Sequence, residues 1–203
     1  MNRKELKENA KKFIKGKKWI IWQGLLMFLA PSIVLSLIYQ LCGTESLTAK
    51  ILTILVTFFT VILEFGIWKY ILCVVRGEEC TINTVYDYFK DSSKWGKLYL
   101  SSIVVSLVTA AASLLFVVPG IIMGISLTFY MLVLIDNDCN IGYKDLLHKC
   151  HEMMNGHKME LFILGLSFIG WEMLATVTFG LLYIWLLPYQ IVTNIMFYEQ
   201  IRK

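Results

Sequence analysis

Charge is scarce in this sequence. Asp, Glu, Lys and Arg make up 17% of the 203 residues while hydrophobic residues make up 57%, and the mean hydropathy is +0.64. So little polar surface cannot cover a water-soluble domain, and the composition points to lipid as the solvent. Signatures of chemistry are missing too. No phosphate-binding loop, nucleophile elbow or His-Glu zinc motif occurs, so nothing supports an enzyme, and neither a cofactor nor a nucleic-acid partner is expected. The five cysteines imply no disulfide framework. His148 and His151 share a helical face at i, i+3 beside Cys150, but two ligands do not make a metal site.

What is abundant is long apolar runs. A helix rises about 1.5 Å per residue and the hydrocarbon core is roughly 30 Å thick, so a span needs about 20 mostly apolar residues. Runs at 19–41, 51–75, 98–118, 121–135, 159–179 and 181–197 predict six transmembrane helices in a single domain, 1–203. The fourth run has only 15 residues, but Pro119-Gly120 before it reads as the tight turn of a hairpin. The first run is 23 residues long without a small-residue cleavage site, so it reads as a retained anchor.

Basic residues set the orientation, because cytoplasmic loops retain Lys and Arg. Residues 1–18 carry eight, and every other Lys or Arg except Lys50 and Lys69 falls in 76–97, 136–158 or the tail. Both termini are therefore expected in the cytoplasm. The outer side keeps one substantial loop, 42–50, and turns around Pro119 and Gly180.

Three segments carry a helical apolar stripe on an otherwise polar sequence: Leu6, Ala10, Phe13 and Ile14; Ile82, Val85, Tyr86 and Phe89; and Tyr143, Leu146, Leu147, Cys150, Met153 and Met154. They read as cytoplasmic amphipathic helices at the interface. Shifts of 76 and 140 residues lay Leu6, Ala10, Phe13 and Lys18 on Ile82, Tyr86, Phe89 and Lys94, and on Leu146, Cys150, Met153 and Lys158. The fold class expected is an all-α membrane helix bundle. Its repeating unit would be an amphipathic helix plus a hairpin, with a first hairpin at 19–75 and the later units at 81–135 and 141–199.

From Val118-Pro119-Gly120-Ile121-Ile122 onward the sequence resembles a bacterial membrane family known as domain of unknown function 975. The resemblance continues through Tyr130, Asp136-Asn137, Met153-Met154-Asn155-Gly156-His157-Lys158, Phe162 and Ser167-Phe168-Ile169-Gly170-Trp171. It closes on Pro188-Tyr189 and Phe197-Tyr198. It implies a multi-pass protein of bacterial cytoplasmic membranes and supplies no activity or catalytic residue. Glu172 departs from it, where an apolar residue is expected.

Glu64, Lys69 and Glu172 are the ionisable residues inside expected spans, where each demands a partner or a function. Glu64 and Lys69 are five apart, so they do not face each other on one helix, and Lys69 is near enough to the inner surface to snorkel. Two functional readings result. One is a non-enzymatic protein whose basic face, led by Lys4, Lys7, Lys11, Lys15 and Lys18, engages anionic lipid or a membrane or cytoplasmic protein partner, in envelope homeostasis. The other is a small proton-coupled transporter or channel using Glu64 and Glu172.

Overall fold

The computed structural model describes residues 3–42 and 46–202, apart from the side chains of 3, 18–20, 24, 25, 27–30, 32, 39, 41 and 42. Among the described residues every regular element is helical. In order they are α1 (Arg3–Cys42), α2 (Leu47–Arg76), a 3-10 turn (Ile82–Tyr86) running into α3 (Asp87–Lys90), and α4 (Trp95–Leu115) after a short 3-10 turn. Then come α5 (Val117–Leu127), α6 (Tyr130–Asp136), α7 (Tyr143–Met153), α8 (Lys158–Val177) and α9 (Tyr183–Ile201). Four stretches among these residues are long and apolar enough to cross a membrane: Leu47–Arg76, Ser92–Leu115, Val117–Asp136 and Lys158–Val177. The runs at 19–41 and 181–197 lie in α1 and α9, outside those four.

The chain divides into two compact units, 19–100 and the pair of segments 1–18 and 101–203. One boundary coincides with a kink in α1, where Lys17 leaves helical geometry (φ −124°, ψ 29°). That kink separates the basic arm, 3–16, from the apolar length that follows.

In unit 19–100, α2 changes character along its length. Leu47, Ile51, Ile54, Leu55 and Phe59 are exposed, whereas Ile62, Phe65, Ile67, Tyr70, Ile71, Leu72 and Val74 are buried. Their cover comes from the chain's own return. Gly77 takes a left-handed conformation (φ 78°) and ends α2 with bonds from the Glu78 N–H to the Cys73 carbonyl (3.1 Å) and from its own N–H to Val74 (3.3 Å). Residues 82–90 then pack on α2, with the Val85 backbone seated on Gly66. A Cβ at position 66 would lie 2.8 Å from the Val85 carbonyl carbon, so only glycine admits this approach.

Two expectations are corrected in this unit. The amphipathic helix across 82–89 is instead a 3-10 turn and a single α turn, stopped by Asp91, whose side chain accepts from the Ser93 N–H. Winding of 3-10 type aligns i with i+3, so Val85 and Tyr88 are buried together and Tyr86, assigned to the apolar stripe, is exposed. Cysteine pairing is the other. Cys73 and Cys80 form a disulfide, their Cα atoms 6.3 Å apart, because the turn at Gly77 folds the chain back over the end of α2.

In the other unit, Leu127, Phe129, Leu132, Val133 and Leu134 are buried with Val192, Ile195, Phe197 and Tyr198 of α9. Of the expected α7 stripe, Leu146, Cys150 and Met154 are fully buried and Tyr143, Leu147 and Met153 partly so, covered by protein where an interfacial helix was expected to meet lipid. Leu6 and Ala10 of the basic arm are buried at the register positions of Leu146 and Cys150. The correspondence fails at Tyr86, which is exposed at the register position of Ala10 and Cys150.

Pro119-Gly120 is not the hairpin turn. The chain turns at Phe116, which is extended (φ −159°, ψ 151°), and Pro119 sits in the first turn of α5, where its missing N–H removes no helical bond. Gly120 packs on α4 instead: a Cβ there would come within 2.7 Å of the Ser113 Cα. The expected turn at Gly180 is present (φ 84°), preceded by Phe179 at φ 50°.

Candidate functional site

Five lysines were expected to form a basic face on the N-terminal arm, and they divide. Lys4, Lys11 and Lys15 are exposed, together with Lys12, while Lys7 is half-buried. The side chain of Lys18 lies outside the described residues. The Lys7 ammonium donates to the Ser167 hydroxyl and sits over the Phe168 ring, 4.2 Å from its centroid. Burial lowers its pKa from the usual lysine value. Phe168 in turn meets Tyr189 edge to face at 5.3 Å. The arm is thus held through Leu6, Ala10 and Lys7, with Lys4, Lys11, Lys12 and Lys15 exposed.

A second polar cluster ties the end of α6 to the end of α9. Asp136 Oδ2 accepts from the Tyr198 hydroxyl (2.6 Å) and from Arg202 Nη1 (2.7 Å), and Arg202 Nε pairs with Glu199 (3.1 Å). Asn137 accepts from Lys149 Nζ (3.2 Å) and donates to the Val133 carbonyl (2.6 Å). Phe129 packs on both Phe197 and Tyr198, at 5.9 and 5.6 Å. Several residues that carried the family resemblance therefore converge. Sequence reading quoted Asp136 and Tyr198 without pairing them; a carboxylate at the end of one span and a Tyr-x-x-x-Arg at the end of another was the available signal.

The other resemblance positions serve turns and packing. Gly156 is left-handed (φ 82°), His157 Nδ1 pairs with Glu160 at 2.9 Å, and Lys158 begins α8. Gly170 and Trp171 are exposed on α8, and Pro188 is buried within α9. His148 pairs with Glu152 at 3.2 Å on the exposed side of α7, opposite Cys150, whose thiol burial pushes up to about 12.

Each ionisable residue of the expected spans has a partner. Glu64 takes a hydrogen bond from Trp68, one turn on along α2. Lys69 pairs with Asp87 at 2.8 Å and lies 5.4 Å from the Tyr88 ring centroid. Its carboxylate comes from the segment after α2 rather than from Glu64; sequence reading did not consider Asp87. Glu172 accepts from Gln190 Nε2 at 2.8 Å, joining α8 to α9. Glu64 and Glu172 fall in different units.

This is an all-helical protein with helices suited to crossing a membrane and polar clusters that fasten helix ends. It belongs to the family described as protein of unknown function, DUF975, which matches residues 92–203. No curated protein and no solved structure matches the chain.

Proposed function

We propose that the chain is a non-enzymatic protein of the bacterial cytoplasmic membrane, with six spans and both termini inside, that presents a basic surface to anionic headgroups or to an acidic partner in envelope homeostasis. One observation carries the reading: Leu6 and Ala10 are buried against protein while Lys4, Lys11, Lys12 and Lys15 of the same helix are exposed. With its apolar stripe occupied, the arm would hold lipid by charge more than by insertion. Each lysine near an anionic leaflet contributes about 1 kcal/mol. The test uses the full chain in detergent-solubilised mixed lipid. Replacing these four lysines with Gln is expected to reduce co-purifying phosphatidylglycerol relative to phosphatidylcholine, as does added salt; an unchanged ratio overturns the reading.

A second reading, a small proton-coupled transporter or channel, draws on the neutral partners of Glu64 and Glu172. Trp68 and Gln190 are uncharged donors, so the bonds these two carboxyl groups accept within expected spans supply no countercharge. Proton-dependent flux into proteoliposomes that Glu64→Gln abolishes would favour it.

A further inference from the structure

Unit 19–100 contains an open groove of about 340 Å³ between α1, α2 and the 82–90 segment. It is lined by Pro31 and Val34 of α1, Val56, Phe59, Thr60 and Leu63 of α2, and Tyr86 and Phe89 of the 82–90 segment. Thr60 donates its hydroxyl to the Val56 carbonyl at 2.7 Å, which satisfies its one polar group locally and keeps the lining apolar. Phe59 and Phe89 stack at 6.1 Å, and Tyr86 lies 6.1 Å from Phe89. The same two helices expose Ile33, Leu37, Leu52 and Leu55, which face lipid in the membrane reading above.

We infer that this groove holds one acyl chain of an anionic phospholipid whose headgroup lies at the Tyr86–Phe89 end. Size restricts the occupant. At about 340 Å³ the groove is at the low end of small-molecule pockets, about 300 to 1,000 Å³, too small for a whole two-chain lipid, so the rest of the lipid would lie outside. Charge selects the headgroup and its direction. Lys90 follows the lining residue Phe89 in the chain and is exposed, whereas Lys69 is paired with Asp87 and Lys94 with Asp91. Tyr86, exposed at the rim, adds a phenol of the kind that sits at headgroup level. A soluble ligand would find almost no polar group in the lining, whereas an acyl chain needs none.

The inference rests on the membrane reading but not on the basic arm, and the experiment separates the two. The full chain is reconstituted in nanodiscs with phosphatidylglycerol or phosphatidylcholine carrying a diazirine in one acyl chain, then photolysed and digested. Adducts from phosphatidylglycerol are expected on residues 56–63 and 86–89, at least fivefold above those from phosphatidylcholine. Thr60→Trp, which fills the groove, should remove these adducts at least fivefold while leaving those on α8 unchanged, with unchanged helix content as the folding control. Lys90→Gln should remove the preference for phosphatidylglycerol and retain chain labelling. Adducts insensitive to Thr60→Trp overturn the groove, and equal labelling by both lipids overturns the anionic headgroup. Gln at positions 4, 11, 12 and 15 should leave the groove adducts in place, so failure of the arm reading shows up separately.

Discussion

Lys7 and Ser167, 160 positions apart in sequence, are hydrogen-bonded about halfway along α8. An isolated peptide of residues 1–18 therefore lacks the surface that its apolar stripe covers. Truncating Lys7 to Ala is expected to cost about 1–2 kcal/mol, because it removes a charged hydrogen bond and a cation–π contact together. Lys4→Ala, on the exposed side, should stay within about 0.5 kcal/mol. Thermal unfolding in a fixed detergent measures both. Equal effects would mean that the arm is not anchored through Lys7.

Gly66 should be among the least replaceable residues in unit 19–100. Ala at this position drives a Cβ into the Val85 backbone, which cannot rotate away, and the expected loss is about 1–3 kcal/mol or more. Gly165, a helical glycine with nothing within 4 Å of its added Cβ, provides the contrast. Gly165→Ala should be neutral or stabilising by up to about 1 kcal/mol. Comparable losses at both sites would show that Val85 does not sit on α2.

The Cys73–Cys80 disulfide also tests orientation, because the basic-residue count assigns this turn to the cytoplasm, where thiols are kept reduced. If both termini are inside, rapid alkylation in growing cells should find Cys73 and Cys80 as free thiols, and the bond should close only after extraction into air. Mass spectrometry of the 73–80 region reads the difference. A pair already oxidised in cells would place this turn outside and reverse the topology. Impermeant thiol labelling supplies an independent check. Ser46→Cys should label from outside, whereas Ser92→Cys and Lys144→Cys should not. Native Cys150 is buried, with its thiol held up to about 12, so it should remain silent on either side at neutral pH.

At Glu64 the partner decides the outcome. Glu64→Gln retains an acceptor for the Trp68 indole and is expected to change stability by less than about 0.5 kcal/mol. Glu64→Leu leaves that N–H without its acceptor and should cost about 1–3 kcal/mol. A Leu variant as stable as the Gln variant would mean that the hydrogen bond contributes nothing.

Length and hydropathy made the helical class and the positions of most apolar runs legible, since spans follow from one-dimensional composition. The amphipathic stripe of α7 was legible for the same reason: Leu146, Cys150 and Met154 keep a 3.6-residue period and all three are buried. The 82–89 segment was misread because its packing follows a close backbone approach at Gly66, nineteen residues earlier, and no local pattern encodes it. Pro119-Gly120 was misread because proline and glycine mark turns, yet proline is equally at home in a first helical turn and glycine at a helix crossing. The partners of Lys69, Glu172 and Asp136 lie 18, 18 and 62 or more residues away, and a count of charges carries no such distances.

The two halves of α2 obey different rules of substitution. Before Ile62 most apolar side chains are exposed and, in the membrane reading, would meet a fluid surround that conforms to any shape; after it, Phe65, Tyr70, Ile71 and Leu72 are enclosed by fixed neighbours. At about 1.5 Å per residue the 30-residue helix is about 45 Å long, against about 30 Å of hydrocarbon, so roughly its last ten residues can stand clear of the bilayer. Leu, Ile, Val and Phe should exchange freely along the first stretch and poorly along the second. A saturation library of this one helix would then show tolerance falling sharply near residue 62, drawing the boundary between lipid and protein in the genetics of the chain itself.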